Sequence, residues 1–68
     1  MAYYIRMKDG SCFAGYGRRR KDGSIQPKSV DAPWLAYRTP SYEEITSVYN
    51  GLIRGNPEEK DAADIFIY

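Results

Sequence analysis

Residues 3–8 alternate in character, with Tyr3, Ile5 and Met7 on one side and Tyr4, Arg6 and Lys8 on the other. A period of two is the mark of a strand with two unlike faces. Asp9-Gly10 follows, the pair favoured in a two-residue hairpin turn where both positions need positive φ. Such a turn sets Lys8 opposite Ser11, Met7 opposite Cys12, Arg6 opposite Phe13 and Ile5 opposite Ala14. Tyr3, Ile5, Met7, Cys12, Ala14 and Tyr16 then form a core face, and Tyr4, Arg6, Lys8 and Phe13 an exposed one. A register shifted by one would swap these faces and place Phe13 inside.

Between Gly17 and Asp31 the apolar pattern fades. Arg18-Arg19-Arg20-Lys21 runs into a second turn signal, Asp22-Gly23-Ser24. The segment reads either as a long second hairpin or as a mobile basic loop. Pro33-Trp34-Leu35-Ala36-Tyr37-Arg38 restores the apolar pattern and predicts a third strand, with Trp34 buried because so small a domain needs a large ring inside.

The strongest periodicity lies at Ile45, Val48, Tyr49, Leu52 and Ile53, spaced as one stripe of a helix. Two starts compete: Thr39 as N-cap with Pro40 in the first turn, and a capping box from Ser41 to Glu44. Glu43 and Glu44 at the start and Arg54 at the end suit the helix dipole, and Gly55 predicts the stop. An acidic stretch, Glu58-Glu59-Lys60-Asp61, leads to a last strand, Ile65-Phe66-Ile67-Tyr68. The predicted fold is one small α+β domain, β-β-β-α-β, with a three- to four-stranded, mainly antiparallel sheet and one helix on its face. A right-handed crossover would set the last strand parallel to the first, in the order 4-1-2-3.

Sixty-eight residues, 43% of them hydrophobic, give a folding composition with a small core. The single Cys12 allows no intrachain disulfide and no thiolate zinc cluster, and reads as a small core residue. A domain this small without disulfides fits a reducing, cytoplasmic setting. The chain begins with an initiator-type Met, has no signal peptide and no apolar run long enough for a membrane, and is expected to be complete.

Charge is divided along the chain. Residues 1–38 hold eight Lys and Arg against three Asp, a balance of +5; residues 39–68 hold two against six, a balance of −4. With no His and one Cys, Ser/His and Cys/His catalytic pairs and the usual zinc sites cannot be built. Gly15-Tyr16-Gly17 lacks the third glycine of a dinucleotide fingerprint. No enzyme, metal or cofactor is expected.

Three surfaces are candidates for binding. The first is an aromatic and cationic protein-binding face of Tyr4, Arg6, Phe13 and Tyr37. The second is a nucleic-acid-binding hairpin of Tyr16, Arg18, Arg19, Arg20, Lys21 and Lys28, whose four consecutive cations suit phosphates. The third is the acidic C-terminal part, able to mimic nucleic acid. Small, near-neutral chains without catalytic pairs resemble, in size and composition only, the accessory proteins of phages and mobile elements. That likeness implies a protein partner and a role as inhibitor or adaptor of a larger host machine. Nucleic acid is the alternative partner, no membrane is expected, and the Ile65–Tyr68 edge offers a route to homo-oligomers.

Overall fold

The computed structural model describes residues 1–19, 21–23 and 25–68, without the side chains of Arg18 and Arg19. Four strands, β1 (Tyr3–Arg6), β2 (Cys12–Arg19), β3 (Ile25–Val30) and β4 (Asp64–Ile67), form one antiparallel sheet in the order β3-β2-β1-β4. One helix, α1 (Tyr42–Gly55), packs on the β1 and β4 half of that sheet. The β-β-β-α-β layout agrees with the sequence reading, whereas the order 4-1-2-3 is met only with Ile25–Val30, not residues 33–38, as the third strand. The orientation of the last strand differs, because β4 runs antiparallel to β1.

The first hairpin is shifted by one residue from the expected register. Arg6, not Met7, stands opposite Cys12. Met7 accepts from the Gly10 N–H at 3.0 Å and donates to the Ser11 carbonyl at 2.7 Å, so the loop has three residues, Lys8 to Gly10. Gly10 alone carries the positive φ, at +88°, and no non-glycine residue among those described has one. A two-residue turn would have forced Asp9 into that region too. Instead the Asp9 carboxylate accepts from the Ser11 hydroxyl and from the Ser11 N–H, which hold its pKa below the ordinary value. A turn followed by a left-handed glycine adds one residue to the loop.

That residue swaps the faces of β2. Phe13 turns inward and is 2% exposed, in a core with Ile5, Ile45, Leu52 and Ala63. Fully burying each of the large side chains contributes roughly 1.5–3 kcal/mol. Cys12 is also buried, on the face away from the helix, as is Tyr4 at 6%. The register between β2 and β3 slips twice, between Phe13 and Tyr16 and between Tyr16 and Arg19. Gly15, with φ at +103°, sits in the first slip, where a side chain would be strained. The slip returns Tyr16 to the helix face, edge-on to Phe13 with ring centroids 5.2 Å apart.

Residues 33–38 form no strand. Pro33–Leu35 is a single 3₁₀ turn, and Trp34 lies 60% exposed. The strand role falls to Ile25–Val30, which carries few apolar residues but pairs along β2. In the predicted Asp22-Gly23-Ser24 turn Gly23 has φ +90°. Within residues 17–31, β3 pairs antiparallel with β2, and Arg20 and Ser24 lie outside the described residues.

The chain after the 3₁₀ turn enters the sheet as a wedge. Tyr37 N–H donates to the Phe13 carbonyl of β2 at 3.0 Å, while Thr39 and Tyr3 of β1 exchange two hydrogen bonds of 2.8 and 3.2 Å. The other edge of β1 is taken by β4, so the wedge enters from the β2 side and keeps β1 and β2 apart beyond their hairpin.

Helix α1 starts at the second of the two candidate caps. Ser41 is the N-cap, and its hydroxyl accepts from Glu44 N–H at 3.2 Å. Glu44 does not complete a capping box. Its carboxylate instead accepts from the hydroxyls of Tyr37 and Thr39, which ties the helix start to the wedge. The helix runs through Gly55, and Asn56 closes it, with its backbone and side-chain N–H groups donating to the Leu52 carbonyl. Gly55 therefore does not serve as a left-handed stop.

Candidate binding face

On an antiparallel sheet, residues directly opposite share a face. Opposite pairing of Tyr4 with Phe66 and of Arg6 with Asp64 therefore sets these four side chains on one face, and the same alternation adds Tyr68. This is the face turned away from α1. Tyr4 lies buried at its base, its ring stacked on Phe66 with centroids 5.8 Å apart. The Arg6 guanidinium lies over Phe66, 5.0 Å from its centroid. The Arg38 guanidinium, from the wedge, lies over the Tyr68 ring at 5.2 Å. Two exposed cations thus cover two rings that are themselves partly open to solvent, Phe66 at 38% and Tyr68 at 51%. Each cation–ring contact contributes about 0.5–1 kcal/mol at such exposure, enough to orient the guanidinium while its N–H edges stay available to a partner.

Of the four residues expected on a protein-binding face, only Arg6 stands exposed on this one. Phe13 is in the core, through the register shift described above. Tyr4 is on the face but underneath it, covered by Phe66. Tyr37 is half-buried on the helix side, edge-on to Phe13 at 6.4 Å, with its hydroxyl donating to Glu44. Glu44 raises the Tyr37 pKa, and the Tyr37 and Thr39 hydroxyls lower that of Glu44. Residues missed by the sequence reading, Arg38, Phe66 and Tyr68, come from segments about thirty and sixty positions from Arg6. Alternation along Ile65–Tyr68 marks Phe66 and Tyr68 as one side of a strand, but nothing local says which strand they adjoin.

The hairpin expected to meet nucleic acid places Lys21 and Lys28 in solvent and Tyr16 about half exposed. Arg20 and the side chains of Arg18 and Arg19 lie outside the described residues. Beside this hairpin an apolar cleft of about 180 Å³ is lined by Phe13, Gly15, Tyr16, Tyr37 and Val48.

The acidic part divides. Glu43, Glu58, Asp61 and Asp64 are exposed, whereas Glu59 is buried and its carboxyl accepts from the Lys8 backbone N–H at 2.7 Å. Glu59 therefore fastens the turn after α1 to the first hairpin. Among the described residues no group of three His, Cys, Asp or Glu could hold a metal, and no helix is long and apolar enough to cross a membrane. Comparison with family models, curated proteins and solved structures finds no match.

Proposed function

We propose that this chain is a non-catalytic protein-binding module of a reducing, cytoplasmic setting, an inhibitor or adaptor of a larger machine. It meets its partner with the sheet face carrying Arg6, Arg38, Phe66 and Tyr68. The supporting observation is the pairing of two exposed guanidinium groups with two exposed rings on the helix-free face. Aromatic side chains and Arg are the types that carry most binding energy at protein interfaces, since they bury much area at little entropic cost. The guanidinium edges suit carboxylates on the partner.

The test is a pull-down from source-cell lysate, with and without nuclease, comparing the parent chain with Arg6→Ala/Arg38→Ala/Tyr68→Ala. A stoichiometric protein that survives nuclease and is lost in the triple variant, with the melting temperature little changed, is the expected result. Undiminished capture by the variant overturns this face as the site. Capture that collapses on nuclease treatment transfers the function to Arg18–Lys21 and nucleic acid, with a log–log salt slope of about −3.6 for four phosphate contacts.

A further inference from the structure

The two edges of the sheet are protected unequally. β3 carries Pro27, which has no N–H to offer, and the cation Lys28, and β2 beside it is bulged twice. Each feature discourages another strand from adding there. β4 has none of them. Its sequence, Asp64-Ile65-Phe66-Ile67, contains no Pro, Gly or Lys, and its register with β1 is unbroken from Tyr3↔Ile67 to Arg6↔Asp64.

The hydrogen-bond phase of that pairing defines what the free edge presents. Ala2 and Tyr68 exchange both backbone bonds, at 2.9 and 2.7 Å. Antiparallel ladders alternate, so Tyr4/Phe66 and Arg6/Asp64 are also bonded pairs, and Tyr3/Ile67 and Ile5/Ile65 are not. The N–H and C=O groups of Ile65 and Ile67 therefore point away from β1, and no described residue bonds them there. Along this edge Ile67 is 59% exposed beside the exposed Phe66 and Tyr68, while Ile65 is half-buried against the core.

We propose that β4 pairs antiparallel with β4 of a second copy of this chain, about a two-fold axis through Phe66. Ile65 then stands opposite Ile67 of the second copy, and the reverse, so all four outward groups on each chain find partners. Phe66 meets its own symmetry mate as a close, non-bonded pair on the helix-free face. Asp64 falls opposite Tyr68, so no like charges face each other. Sliding the strands by two residues either way leaves only one bonded pair of the two, and sliding by one leaves the outward groups out of phase. The edge is thus complementary to itself in one register, as a two-fold interface requires. The dimer is an eight-stranded sheet in which the two helix-free faces become continuous, presenting the Arg6 and Phe66 pairs twice to one partner. Four-residue strands bury little area, which makes the dimer weak and dependent on concentration.

Sedimentation of the full chain from about 5 µM to about 1 mM tests this, a span chosen for a small interface. The mass is expected to rise from 7.8 kDa towards twice that value. Ile67→Pro removes one outward N–H without touching the bonds to β1, and is expected to weaken association at least about tenfold while the melting temperature stays near the parent's. Phe66→Cys is expected to form an intermolecular disulfide on oxidation much faster than Ile67→Cys, since only position 66 meets itself across the axis. A constant mass of 7.8 kDa across the range overturns the proposal. So does association unaffected by Ile67→Pro, and faster cross-linking at 67 than at 66 overturns the register. These measurements use purified chain, so their failure is distinct from failure of the lysate test above.

Discussion

The half of the sheet under α1 and the half left bare by it are built on different principles. Under the helix, β1 and β4 are short, yet they hold Ile5 at zero exposure against Ile45 and Leu52. In the bare half, β2 and β3 pair over more residues, but Ile25, Gln26, Lys28 and Ser29 stay in solvent. The first half is stable because side chains from distant segments exclude water together. The second is held by backbone pairing and turn chemistry, which exposed ribbons sustain only marginally. Helix coverage, rather than strand length, marks where folding free energy is concentrated.

The largest contrast is expected between Phe13→Ala and Ile25→Ala. Phe13 belongs to β2 but packs in the covered half, and its truncation should cost about 3–5 kcal/mol. A domain of this length has roughly 3–10 kcal/mol in total, so the variant should lose a third or more of its stability. Ile25→Ala, in the bare half, should stay within about 0.5 kcal/mol of the parent. Urea titrations followed by circular dichroism measure both, and equal losses would erase the distinction between the halves.

A smaller effect is expected at the junction of the C-terminal turn with the first hairpin. Glu59→Ala leaves the Lys8 N–H without its acceptor and should cost about 1.5–3 kcal/mol, while the neighbouring exposed Glu58→Ala should be near neutral. Glu59→Gln keeps an oxygen in place and should recover part of the loss. Thermal melts of the three variants give the comparison, and similar losses for Glu58 and Glu59 would place the stabilisation in general acidity rather than in this bond.

The smallest effect concerns the exposed seam where wedge and helix meet. The hydroxyls of Tyr37 and Thr39 lower the Glu44 pKa below its ordinary 4.5. A carboxyl lowered on folding stabilises the native state above its unfolded pKa, and that contribution is lost as pH falls through the native value. Tyr37 is raised above 10.0, so its share is present below about pH 10 and lost as pH rises through its native value. Glu44→Gln should therefore lower the urea midpoint at neutral pH, with the gap closing once pH drops below about 4.5. A gap unchanged down to about pH 3 would mean that the ionised carboxylate contributes nothing at this seam.

Helix α1 was legible in its body, though not in its choice of cap or its stop, because its signals are local. Ser41, Glu44 and the stripe from Ile45 to Ile53 act within a few residues of one another, and a helix closes its own hydrogen bonds. The hairpin was legible in kind but not in register. Alternation along residues 3–8 fits either loop length, and the difference rests on whether Asp9 takes positive φ or bonds Ser11. That single residue carried Phe13 from the expected binding face to the core. Trp34 was misplaced for the opposite reason: composition alone favours burying a large ring, but Phe13, Ile45 and Leu52 already fill the space.

Local sequence signals sufficed for the β-β-β-α-β layout, the helical stripe, the turn glycines at 10 and 23, and the lack of His and of a second Cys, but not for which segment forms the third strand or which of two caps starts the helix. The legible features follow from backbone sterics and composition, which act over one or two turns of chain. Long-range packing sets β4 antiparallel beside β1, drives residues 37–39 into the first hairpin as a wedge, and brings Arg6, Arg38, Phe66 and Tyr68 onto one face. Each of those depends on contacts between segments tens of residues apart, where the free energy lies in shared burial and pairing that no local pattern encodes.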